Sequence, residues 1–119
     1  MLVTGLLYLT RTMQKIKFIG KDIDIAFNVA VQIEYENITS EPFDISKLAY
    51  MKNSIALYEA VIKVNNRDAG ITSADITSKA SAVDMKAISS AVVEEMAAWI
   101  NVPDFIKEKQ KDEEGEKNS

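Results

Sequence analysis

Two residue types are missing from this chain and two more are scarce: it has no cysteine, no histidine, two prolines and four glycines in 119 residues. Without cysteine there is no disulfide framework, no thiolate metal site and no thiol nucleophile, which fits a reducing compartment such as the cytoplasm. Without histidine, the commonest general base, the Ser-His pairing and the usual zinc ligand are excluded together. The glycines stand at positions 5, 20, 70 and 115, with neither Walker nor dinucleotide spacing, so nucleotide chemistry has no support. A basic surplus is also lacking. With 14 Lys and Arg against 18 Asp and Glu the formal charge is -4, which works against a broad nucleic-acid face and against an anionic membrane. The apolar run Leu6-Leu7-Tyr8-Leu9 is far short of the roughly 18 residues of a membrane span, and it lacks the basic flank of a signal peptide.

What is present suits a single packed core, since 47% of the residues are apolar and a chain of this length fits one domain. Three regions are expected. Residues 1–12 form an N-terminal extension, either a short extra strand or a stretch ahead of a true start at Met13. Residues 13–103 form one α+β domain. Residues 104–119, with six acids and four lysines, cannot bury enough apolar surface to order themselves and are expected to be a disordered, charged tail.

Residues 15–27 alternate polar and apolar on both sides of Gly20-Lys21, a Gly-X pair suited to a type II′ turn, and predict a β-hairpin. Pairing Ile19 with Asp22 places Phe18 opposite Ile23 and Ile16 opposite Ile25 on one face, with Lys17 opposite Asp24 on the other. Because an isolated hairpin is marginal in water, the face of Ile16, Phe18, Ile23 and Ile25 must be covered.

A small, mainly helical bundle is expected to cover it. Asn28 can cap a helix to about Asn37 with Ala30, Ile33 and Val31 inward, before Ser40-Glu41-Pro42 interrupts the pattern. Asp44 or Ser46 can cap a second helix to about Asn65, on which Leu48, Met51, Ile55, Tyr58 and Ile62 recur at helical spacing. Lys52, Glu59 and Lys63 make its wet face, with Glu59 and Lys63 at i,i+4. A second apolar stripe, Tyr50, Leu57, Val61 and Val64, lies about 100° further round. It reads either as the other side of a central helix packed within its own domain or as a surface for a protein partner or a second copy.

Residues 65–70 have turn composition, and Thr72 to Asp75 and Ser81 to Asp84 have capping-box spacing with Asp in place of Glu or Gln. A short helix and a long one should follow. The long helix, about 82–101, carries Met85, Ile88, Val92, Met96 and Trp99 on one face and stops before Pro103. Trp99 is expected to plug the core, and Phe43 to anchor its loop.

Several chemical constellations fail on inspection. Residues 65–76 place Gly70 as a calcium loop would, but Arg67, Ala69 and Ile76 stand where oxygen ligands are needed. Asp22 and Asp24 share a strand face with Lys17 and are explained as the polar side of a hairpin. Glu94 and Glu95 diverge around a helix, which is wrong for carboxylates sharing one substrate. No nucleophile elbow surrounds any serine. No catalytic residue, cofactor site or metal site is therefore assigned. Residues 69–80 partly match the turn and second helix of a helix-turn-helix, so a small DNA-binding regulator is the alternative functional reading.

Taken in order, the hairpin of residues 15–27, the helix containing Ile33-Glu34, the Pro42-Phe43-Asp44 link and the later helices resemble the tail assembly chaperones of long-tailed phages and prophages over about residues 13–103. The resemblance implies a non-enzymatic, cofactor-free protein of the host cytoplasm whose partner during virion assembly is the tape-measure protein or a tail-tube subunit. It transfers no functional residue. The candidate partner-binding residues Tyr50, Leu57, Val61 and Val64 come from the second stripe alone.

Overall fold

A computed structural model describes residues 13–100. The extension 1–12 and the tail 104–119, with the readings made of them, lie outside the described residues. The elements run β1 (Gln14–Phe18), β2 (Lys21–Ile25), α1 (Val29–Thr39), a 3-10 segment (Ile45–Ala49), α2 (Met51–Asn65), α3 (Ser73–Lys79) and α4 (Ala82–Ile100). This is the expected α+β order, a two-stranded antiparallel hairpin followed by helices.

The hairpin's register differs from the expected one. Ile16 pairs with Ile23, Lys17 with Asp22 and Lys15 with Asp24, so the turn residues are Ile19 and Gly20 rather than Gly20 and Lys21. Both have positive φ, 50° and 74°, as a type I′ turn requires. The shift is by two residues and leaves every side chain on its expected face. Its electrostatic consequence favours the observed pairing. Two lysines now meet two aspartates, Lys15 with Asp24 at 3.4 Å and Lys17 with Asp22 at 3.2 Å, where the expected register offered only Lys17 with Asp24. Each such exposed pair contributes at most about 1 kcal/mol.

The apolar face is covered as anticipated: Phe18, Ile23 and Ile25 are buried and Ile16 packs against them. α4 lies mainly over β1, while α2 lies against β2. Gln14, at the start of β1, donates from Nε2 to the Ala91 carbonyl and to Glu95 on α4. On the other side the end of α2 takes hold of β2. Asn66 Oδ1 accepts the Asp24 N–H and Asn66 Nδ2 donates to the Asp24 carbonyl, both at 2.8 Å. The amide thus extends the sheet by one side chain, and Asn65 Nδ2 adds a bond to the Ala26 carbonyl. Sequence reading saw only turn composition in these two asparagines.

α1 is capped by Asn28, whose Oδ1 accepts the Val31 N–H, and ends at Ser40 in the left-handed region. Its inward residues are Val31 and Tyr35, not Ala30 and Ile33. Ala30 is exposed and Ile33 is 54% exposed. The rotation is set by α2, where Asn53 Nδ2 donates to the Tyr35 hydroxyl at 2.7 Å within the core. Phe43 does anchor its loop, its ring lying 5.3 Å from Tyr35 and 5.6 Å from Phe27. Glu36 on α1 also holds this loop by accepting the Phe43 N–H.

α4 buries Ile88, Ala91, Val92 and Met96 with Met85 partly covered, on the face expected. Trp99 departs from that pattern, being 41% exposed and resting edge-on against Phe27. The strand beside α4 explains this, because Gln14 begins β1 and touches α4 at Ala91 and Glu95. Trp99, one turn beyond, lies past the described start of β1 and packs edge-on against Phe27.

Replacing Asn66 by Ala should cost about 1 to 3 kcal/mol in urea unfolding, since a part-buried strand edge loses both partners. Lys17→Ala should cost less than about 1 kcal/mol. Equal effects would show that the amide does not hold β2.

Candidate partner-binding surface

The central helix α2 is buried on two sides. Leu57, Tyr58, Ala60, Val61 and Ile62 are all buried, because α1, β2 and α3 all pack against this helix. The candidate stripe therefore divides. Leu57 and Val61 are core residues, and Val64 is half-buried against the core. For these three the reading as a surface for a partner gives way to the reading as a helix packed within its own domain.

Tyr50 is the exception, with 63% of its surface exposed. Its helical spacing to Leu57 does not apply, because it lies outside the helix. Asp44 caps only the 3-10 segment, and Tyr50 then breaks out with φ -85° and ψ 130° before α2 begins at Met51. The long helix expected from Asp44 or Ser46 is thus interrupted. Met51, expected inward, is 65% exposed at the first position of α2, and Ile45 is 52% exposed. Leu48 and Ile55, from the same expected stripe, do pack against the core. Three large apolar side chains consequently face solvent within the seven residues 45–51. Sequence periodicity missed Ile45 and Met51 as surface residues, and the one available signal was Asp44, whose cap served a shorter helix than supposed.

The segment is held from beneath. Ser54 Oγ donates to the Leu48 carbonyl at 2.7 Å, and Asn53, 3% exposed, is fixed by Tyr35. Tyr50 lines a surface depression of about 280 Å³ together with Glu41, Lys47, Lys52 and Asn53. The expected intrahelical pair of Glu59 and Lys63 is replaced by contacts between elements. Lys63 reaches Glu34 on α1 at 3.0 Å, and the Glu59 carboxylate accepts the Ser73 N–H at the start of α3.

Four other acids serve structure. Asp22 and Asp24 face the lysines of β1. Both capping boxes form: Thr72 with Asp75, and Ser81 with Asp84. Among the described residues no group of three or more acids could hold a metal ion, and no helix is long and apolar enough to cross a membrane. The helix-turn-helix alternative meets a seven-residue link, 66–72, between α2 and α3, where that motif has a turn of about three or four residues. Of Arg67 and Lys79, the two cations near enough to reach phosphate in that reading, Lys79 is paired with Asp75 at 3.3 Å.

Comparison with protein-family models, with curated proteins and with solved structures returns no match.

Among the described residues, three carboxylates sit below their ordinary value. The Ser46 hydroxyl and N–H hold Asp44 down. Asp75 is lowered first by the Thr72 N–H and then by Lys79, and Asp84 first by the Ser81 N–H. A folded-state pKa below the unfolded one means these caps stabilise the protein above the unfolded value of about 3.9, and that this stability is lost as pH falls through the folded values. The unfolding midpoint of the wild type should therefore drop in acid more steeply than that of the double variant Asp75→Asn, Asp84→Asn. Parallel pH profiles would show the caps to be dispensable.

A charged probe separates the divided stripe. Leu57→Glu should unfold the domain, since it places a carboxylate in the core. Tyr50→Glu should leave the circular dichroism and the melting curve close to wild type. Two variants of similar stability would contradict the assignment of Leu57 to the core.

Proposed function

We propose that this chain is a non-enzymatic protein-binding factor of the tail assembly chaperone kind, which holds a helical segment of a tape-measure protein while a phage or prophage tail is built. The observation that supports this best is the solvent exposure of Ile45, Tyr50 and Met51 on one short, well-tethered segment. Large apolar side chains grouped on a surface mark contact sites for other macromolecules, and an amphipathic helix is a common occupant of such sites. The hairpin followed by helices agrees with the order of elements from which the resemblance was drawn. The chemistry supplied is reversible apolar burial, with no metal, nucleotide or covalent step.

No observation favours the DNA-binding alternative, given the acidic balance, the long link before α3 and the engagement of Lys79. Co-expression with a tape-measure protein encoded beside this chain should give a complex that co-purifies, and Tyr50→Glu with Met51→Glu should release it while the domain stays folded. Duplex DNA should not bind at moderate salt. Salt-sensitive duplex binding without any tail-protein complex would replace this function with the regulator.

A further inference from the structure

Building on the proposal that residues 45–51 dock a protein segment, we infer that the segment presents carboxylates beside its apolar contact residues. Lys47 and Lys52 line the depression next to the exposed Tyr50 ring, and among the described residues neither has a carboxylate within ion-pair distance. Lys15, Lys17, Lys63 and Lys79 do have one, whereas Lys21 and Lys86 share its absence among the described residues. Two nearby acids are engaged by backbone, and Asp44, its pKa lowered first by Ser46, also lies close enough to Lys47 for the ammonium to help lower it. Asp44 accepts from the Ser46 N–H and hydroxyl, and Glu36 accepts from the Phe43 N–H. Glu41 is the one acid lining the depression, so the lining carries two positive side chains and one negative.

This small cationic excess stands out on a chain of net charge -4. Apolar contact at Ile45, Tyr50 and Met51 would exclude water around the two ammonium groups. A carboxylate brought alongside then gains more than it would in open solvent, and a partner cation meets a penalty. The arrangement is also preorganised, since Asn53 beneath it is bonded to the Tyr35 hydroxyl and Ser54 to the Leu48 carbonyl.

The test uses two synthetic amphipathic helical peptides of about 18 residues, roughly five turns, with identical leucine faces and either glutamate or lysine on the polar face. Each is titrated into the isotope-labelled full chain and followed by amide chemical shifts. The glutamate peptide should shift residues 45–52 and bind about tenfold more tightly than the lysine peptide, an advantage that shrinks between about 50 and about 500 mM salt. The double variant Lys47→Glu, Lys52→Glu should keep its fold and reverse the preference. Equal affinity, preference for the lysine peptide, shifts mapping elsewhere, or no binding of either peptide would overturn the inference. Its failure is distinguishable from failure of the proposed function, because the tape-measure complex could still form with a segment of other charge.

Discussion

A two-stranded sheet cannot keep an apolar face in water, and the architecture of this domain follows from covering one. Phe18, Ile23 and Ile25 leave essentially no surface exposed, and the elements that exclude solvent from them are α2 and α4, one on each strand. α4 touches the rest of the domain chiefly through the hairpin, with a lesser contact to α2. Loss of the hairpin face would therefore detach the longest helix as well. The polar contacts reinforce the same seam, with Gln14 tying β1 to α4 and Asn66 tying β2 to α2.

The position of α2 follows from that constraint. With α1, β2 and α3 all packed against it, it has little circumference left for solvent from Ala56 to Ile62, and its one buried polar side chain, Asn53, is satisfied by Tyr35. Of its large apolar residues only Met51, at its first position, is exposed, next to Ile45 and Tyr50 of the segment leading to it. Surface for a partner thus arises at the end of the helix, where Tyr50 leaves helical geometry, and not along a continuous stripe.

How far the site could be read from residues shows the limits of periodicity. Tyr50, Leu57, Val61 and Val64 do share one side of an ideal helix, but that geometry holds only if all four are helical, and Tyr50 is extended. For the other three, the spacing was sound and its meaning undetermined, because an apolar face is identical in sequence whether its own domain or another protein covers it. Ile45 and Met51 were harder still, since their exposure depends on a break between a 3-10 segment and α2 that no proline or glycine marks.

Local chemistry accounts for what the sequence by itself determined: the hairpin and its faces, the Asn28 cap, both Asp capping boxes, the inward side of α4 and the α+β class. Each rests on residues within about one turn or one strand pair of each other, where alternation, caps and turn preferences act directly. The tertiary structure decided the rest. It rotated α1 so that Tyr35 reaches Asn53, whereas the two-residue shift of the hairpin is itself local and closes both Lys–Asp pairs within one strand pair. It also left Trp99 beyond the end of β1, and placed Leu57 inside while leaving Tyr50 outside. The outcomes beyond the hairpin depend on which element lies opposite in the fold, and a periodic pattern specifies that a face is apolar without specifying what will cover it.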